Sequence, residues 1–206
     1  QDGSSTFEKD NLDVDLRISV LPTSHDERVV MRILNKDAGE KKLEELGFEK
    51  NDLIKLKKAI NSPQGMVLVT GPTGSGKTTT LYSILKDISK PTINILTAED
   101  PVEFDLEGIG QVKIREDINF TFEKALRSFL RQDPEVILIG EMRDKITVDT
   151  ALKASLTGHL VFSTLHTNNA LASIIRLLDM ETPNYLISSA LSLVIAQRLV
   201  RRLCSE

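Results

Sequence analysis

Residues 71–79 read Gly71-Pro72-Thr73-Gly74-Ser75-Gly76-Lys77-Thr78-Thr79. This is the spacing of a phosphate-binding loop, G-x-x-x-x-G-K-[ST]. Glycines let successive backbone N–H groups turn inward toward a β-phosphate. A helix opening at Lys77 aims the positive end of its dipole at the same anion. Lys77 would reach the β- and γ-phosphates, and the Thr78 hydroxyl would complete a Mg²⁺ shell. The chemistry is that of a nucleoside triphosphate site.

Further groups with chemical potential follow downstream. The apolar run Val136–Ile139 ends in Gly140-Glu141, so Glu141 fits a Walker-B acid that holds Mg²⁺ through a water or orients that water. Arg143 and Asp144 beside it suit either a local ion pair or a subunit contact. Glu99, Asp100 and Glu103 put three carboxylates within five positions. They repel one another unless a metal or an arginine neutralises them, and one of them could polarise an attacking water. His159 and His166, with Ser163, Thr164, Thr167 and Asn168, bracket another apolar strand. Such groups suit a γ-phosphate sensor, or equally a polar cap on the next helix. Far upstream, Arg17, Arg28 and Arg32 could pair with Asp13, Asp15 and Glu27. In an oligomer they could instead stabilise γ-phosphate charge for a neighbour.

The elements that must position these residues are readable from periodicity. Val14, Leu16, Ile18 and Val20 alternate with polar residues, which predicts a half-buried antiparallel strand over Val14–Leu21. Strand patterns at Thr6–Lys9 and Arg28–Leu34 flank it, with a turn from Leu21 to Asp26. The opening Gln1–Ser5 shows no strand or helix pattern. Residues 1–35 therefore read as the C-terminal part of an N-terminal domain, and the polar stretch 36–42 as a linker. Short helices are expected at Leu43–Phe48 and Asn51–Asn61, the second capped by Asn51 with Leu53, Leu56 and Ile60 on one face. From Gly65 onward the chain alternates. Strands are expected at Met66–Thr70, Asn94–Ala98, Val136–Ile139 and Leu160–Leu165. Helices are expected at Lys77–Lys90, Phe122–Gln132, Lys145–Leu156, Asn169–Met180 and Asn184–Leu203. Apolar strands joined by helical crossovers predict an α/β domain with a mainly parallel sheet covered on both faces, over residues 43–206.

Composition bounds the partners. The chain has 206 residues, 40% of them hydrophobic, no Trp and only 4% aromatics, so its core must be aliphatic. A net charge of −4 argues against a dedicated nucleic-acid binder, and no stable nucleic-acid binding is expected. The lone Cys204 cannot form an internal disulfide, which makes a reducing cytosol the default compartment. No signal peptide opens the chain, and the longest apolar stretch, Tyr185–Ala196, falls short of the ~18 residues of a spanning helix. Any membrane link is expected through partners.

Taken together, the motifs resemble the secretion ATPase superfamily, specifically the type II secretion and type IV pilus-assembly ATPases. The elements stand in that family's order: Walker A (Gly71–Thr78), an Asp box (Glu99–Glu103), Walker B (Ile139–Glu141) and a His box (Gly158–His166). Leu21–Thr23 and Glu27–Arg32 resemble the assembly and export branch more than the retraction motors. The resemblance implies a RecA-like P-loop fold preceded by a partial PAS-like domain. It also implies a cytoplasmic homo-hexamer, peripheral to the inner membrane, that hydrolyses ATP with Mg²⁺ and moves inner-membrane platform proteins. By position, Glu103 resembles the catalytic glutamate that activates water and Glu141 the metal-side acid. His159 and His166 match the His box, and Arg17 and Arg32, with Arg28, the N-domain arginines that approach the nucleotide. Family members often carry a four-cysteine zinc module after Arg-Arg-Leu-Cys. With Cys204 alone, no structural zinc is expected, and metal analysis would test it. Two other readings stay open. One is a DNA-translocating ATPase, for which the only basic cluster is Arg198, Arg201 and Arg202. The other is a nucleotide-gated binding module without useful turnover.

Overall fold

The computed structural model describes residues 2–9, 12–35, 41–201 and 203–204. The chain divides into two compact units, Gln1–Glu40 and Lys41–Glu206.

In the first unit, strands β1 (Asp2–Lys9), β2 (Leu12–Pro22) and β3 (Glu27–Asn35) form an antiparallel sheet in the order β1-β2-β3. Thr23 closes the β2–β3 turn, its N–H donating to the Asp26 carbonyl at 2.7 Å. Burial along β2 is less clear-cut than the sequence alternation: Val14 is buried, while Asp15, Leu16, Arg17, Ile18 and Val20 are all half-buried. Register sets Arg17 opposite Arg32 and Arg28 opposite Leu21. Because side chains alternate with a period of two, the three arginines stand on one face. β1 reaches back to Asp2, where the sequence shows no strand pattern, because pairing with β2 (Asp2 opposite Ser19) supplies the order that composition lacks.

The second unit carries a six-stranded parallel sheet. Its strands are β4 (Gly65–Thr70), β5 (Ile95–Glu99), β6 (Gly110–Lys113), β7 (Val136–Ile139), β8 (Leu160–Leu165) and β9 (Leu191–Ala196). Their order is β6-β5-β7-β8-β4-β9. The helices are α1 (Lys50–Ile60), α2 (Lys77–Ile88), α3 (Phe122–Phe129), α4 (Lys145–Leu156), α5 (Ala170–Asp179) and α6 (Asn184–Ala190). β4 is buried at every residue, with Met66 and Leu68 in one core and Val67 and Val69 in the other. Helices α1 and α2 cover one face of the sheet, and α3, α4, α5 and α6 the other. The α/β architecture with a mainly parallel sheet, preceded by antiparallel strands, is the one expected.

Three local expectations are corrected. The helix predicted over Asn184–Leu203 ends at Ala190, and the same apolar run continues as β9 alongside β4. Val194 and Ile195 favour a strand, and a free edge beside β4 decides the matter. Strand β6 carries polar and glycine residues and was not foreseen; it forms because β5 offers it a parallel ladder. Helix α1 begins at Lys50 with Glu49 at its N-cap, so Asn51 is not the cap. Of the expected linker 36–42, residues 36–40 lie outside the described residues.

Candidate active site

The carboxyl ends of β4, β5, β7 and β8 meet at one edge of the sheet, where crossover loops leave a crevice. A cavity of about 490 Å³ opens there. Its walls include Thr73, Gly74, Gly76, Lys77, Thr78 and Thr79 from the loop after β4, Glu103 from the loop after β5, Glu141 after β7 and His166 after β8. The remaining loop residues build the backbone: the Ser75 N–H donates to the Pro72 carbonyl at 3.2 Å. Lys77 Nζ donates to the carbonyls of Gly71 and Pro72 at 3.0 and 3.1 Å. Burial holds the Lys77 ammonium below the ordinary lysine range, against the opposing pull of Glu141. Helix α2 has Gly76 at its N-cap and no side-chain cap, so its first N–H groups are left for another acceptor.

An acidic wall faces this loop. Glu141 Oε1 accepts from Arg143 at 2.5 Å, and its Oε2 lies 3.4 Å from His166 Nε2. Arg143 also lies 3.6 Å from Asp100 and 3.6 Å from Glu116. Of the Asp-box acids, Asp100 is thus met by an arginine from the loop after the neighbouring strand β7, while Glu99 is held by neutral donors. Its hydrogen bond to Glu141 and the surrounding acids raise its pKa further. Asp144 does not pair with Arg143; it caps α4 by accepting from the Thr147 N–H at 2.8 Å. A Cβ at Gly140 would lie 3.2 Å from the Ala98 carbonyl oxygen of the neighbouring strand, a tight contact that favours glycine there. The donor set, a threonine hydroxyl on α2 opposite a carboxylate with solvent access, fits a hard divalent cation.

The His-box residues separate. His166 reaches the cavity, and Thr164 lines it while donating to the Gly140 carbonyl at 2.6 Å. His159 precedes β8, at the amino edge of the sheet, and its Nδ1 lies 3.0 Å from the Ala154 carbonyl. Within this chain it does not join the cavity. Ser163 and Thr167 bind neighbouring strands, at Ile139 and Thr70, and Asn169 caps α5. Arg17, Arg28 and Arg32 belong to the first unit.

Sequence reasoning missed Gln197. Its amide donates to the Ser75 carbonyl at 2.7 Å, its carbonyl accepts from Thr80 at 2.9 Å, and its N–H donates to Thr70 at 3.0 Å. Gly76, at φ 85°, gives it room: a Cβ there would meet Gln197 Nε2 at 3.2 Å. Leu199 then forms part of the cavity wall. Reading this segment as helix hid the contact, because a helix would carry Gln197 away from the loop. Arg198, from the basic cluster, donates to the Asn168 carbonyl at 2.9 Å, and Arg202 lies outside the described residues.

Comparison with known proteins agrees with this geometry. The family described as Type II/IV secretion system protein matches residues 1–206. The type II secretion system protein HxcR of Pseudomonas aeruginosa is 53% identical over 206 residues, covering 100% of this chain and 44% of that protein. The type IV pilus assembly ATPase PilB of Myxococcus xanthus is 55% identical over 192 residues, 93% of this chain and 34% of its own length. The crystal structure of the pilus retraction motor PilT with bound ADP superposes with a TM-score of 0.82 at 36% identity, covering 97% of this chain and 59% of that one. The Legionella pneumophila ATPase DotB gives a TM-score of 0.78 at 27% identity, over 97% of this chain and 58% of DotB. The chain thus spans less than half the length of these curated relatives. It belongs to the type II/IV secretion system protein family.

Proposed function

We propose that this member of the type II/IV secretion system family is the ATP-hydrolysing portion of a motor that drives type II secretion or type IV pilus assembly. The observation that carries the reading is the convergence of Lys77, Glu103, Glu141 and His166 on one cavity beside the Gly-rich loop. Backbone N–H groups of Gly74, Gly76, Lys77 and Thr78 and the Lys77 ammonium bind the β- and γ-phosphates of ATP. Thr78 and Glu141 would hold Mg²⁺, which when bound neutralises phosphate charge. Glu103 accepts a proton from water as it attacks the γ-phosphorus, and ADP leaves with the terminal P–O bond broken. His166, held near Glu141, senses the terminal phosphate. Arg17, Arg28 and Arg32 contribute positive charge toward the nucleotide, and their common face supports a joint role. His159 matches the His box by position in the sequence, and the motor assembles as a homo-hexamer. Residues 1–35 are the C-terminal part of an N-terminal domain and 43–206 the ATPase domain, with the hinge between them. The motor works in the cytoplasm against inner-membrane platform proteins.

The test is the steady-state ATPase rate against protein concentration with Mg²⁺, for wild type and Glu103→Gln. A rate per subunit that rises with concentration and disappears in the variant is the expected result. A flat rate unaffected by the substitution overturns both the shared site and the role of Glu103. Stimulation of turnover by DNA would favour a translocase instead.

A further inference from the structure

A nearly buried acidic residue lines the cavity floor beside Tyr82 and takes no part in the proposed hydrolysis. Glu99 ends β5 and is only 4% exposed, and four residues later the following loop brings Glu103 to the same cavity. The Glu99 carboxyl accepts from the Tyr82 hydroxyl, from Thr97 Oγ1 at 2.5 Å and from the Gln111 amide at 3.2 Å. Burying a carboxyl group among neutral donors is costly unless each oxygen is bonded, so the site is built as a unit.

Tyr82 is the centre of that unit. It sits on α2, five residues beyond Lys77, and is 1% exposed. Its hydroxyl donates to Glu99 and accepts from the backbone N–H of Glu103 at 3.3 Å. Gln111, on β6, approaches the same hydroxyl at 3.4 Å. Gln111 also ties down the rest of the loop, accepting from the Leu106 N–H at 2.6 Å and donating to the Phe104 carbonyl at 3.2 Å. The Phe104 ring packs edge-on to Tyr82, with centroids 4.5 Å apart. Burial, and then the charge of Glu99, push the Tyr82 hydroxyl well above the ordinary tyrosine range, so it stays a donor at every working pH.

We propose that Tyr82 and Glu99 are positioning residues: they fix the loop that bears Glu103 to the helix that bears Lys77, so that the proton acceptor and the phosphate-binding loop keep one geometry. A hydroxyl with a single proton suits the task. With that proton committed to Glu99, its lone pairs are left for the Glu103 N–H, and the loop is held by direction as well as distance. A general base works only within hydrogen-bond reach of its water, and a misplacement near 1 Å can cost about 100-fold. This inference rests on the reading of Glu103 as the proton acceptor.

The experiment compares Tyr82→Phe, Glu103→Gln and the double variant in the full chain, by single-turnover ATP hydrolysis and by binding of a fluorescent ADP analogue. Tyr82→Phe is expected to lower the hydrolysis step about 10- to 100-fold while ADP affinity stays within about twofold. Added to Glu103→Gln, it should lower residual turnover no further, since it acts through that residue. A purely structural tyrosine would instead weaken ADP binding and hydrolysis together and add its loss to that of Glu103→Gln, which overturns the proposal. Wild-type hydrolysis in Tyr82→Phe, beside an inactive Glu103→Gln, overturns the proposal alone. Unchanged hydrolysis in Glu103→Gln overturns the reading of Glu103 and the proposal with it. Should Tyr82→Phe fail to fold, Glu99→Gln decides by the same criteria. It keeps the volume but sets an amide donor against the Gln111 amide, and it must lower hydrolysis without weakening ADP binding.

Discussion

The two walls of the cavity are built by different means. The phosphate-binding wall is one continuous segment, residues 73–79, whose work is done by backbone N–H groups, a glycine hinge at Gly76 and one ammonium. The acidic wall has no such segment. Glu103, Glu141 and His166 arrive on loops after β5, β7 and β8, and each is held by side chains from elsewhere. Arg143 links Glu141 to Asp100, and Tyr82 holds the Glu103 N–H. A backbone-built site tolerates little change in glycine or lysine but needs few neighbours. A side-chain-built site depends on a network, and so it can be tuned or broken from outside the cavity.

That contrast predicts how the walls fail. The largest effect is expected from Glu103→Gln, with kcat lowered about 10²- to 10⁴-fold and ADP affinity preserved, read by turnover and by titration with the fluorescent analogue. Loss of binding in this variant would mean that the acidic wall also holds the nucleotide. Lys77→Ala should do the reverse, removing nucleotide binding and lowering kcat/KM about 10²- to 10³-fold. Its melting temperature should not respond to ADP, whereas ADP at 100 times its Kd should stabilise the wild type by about 2.7 kcal/mol.

Gln197→Ala is expected to be milder. It removes two hydrogen bonds that brace the phosphate loop, at Ser75 and Thr80, and should weaken ADP binding about tenfold with kcat little changed. An unchanged affinity would show that the loop holds its shape without the Gln197 side chain. The smallest effect concerns pH. Lys77 is held below the ordinary lysine range, so it loses its charge at lower pH than a free lysine would. The alkaline fall of kcat/KM should therefore begin below a pH of about 10.4, the ordinary lysine value. The sign for folding is opposite: the unfolded chain binds the proton more tightly, so this group alone favours folding as pH rises through that window.

Much of this was legible beforehand because it rests on local pattern. The strand–loop–helix around Gly71–Thr78 needs only an apolar run, glycines and a helix start, all contiguous in sequence. Strands β7 and β8 and helix α4 matched residue for residue, since near-continuous apolar runs leave the strands few alternatives; the cap at Asp144 that opens α4 was not read from the sequence. Tyr185–Ala196 did not, because an apolar stretch of that length serves helix or strand equally, and only the edge of β4 turns half of it into β9. The sequence by itself determined that a triphosphate loop lies among parallel strands, and which acids and histidines stood near strand ends. Only the tertiary structure decided that His166 joins the cavity while His159 stands at the opposite edge of the sheet. The same is true of Arg143 reaching Asp100 and of Gln197 and Tyr82 bracing the two walls. These pairings join positions such as Gln197 and Ser75 or Tyr82 and Glu103, separated by many residues, and no local propensity encodes a contact that exists only once the sheet has formed.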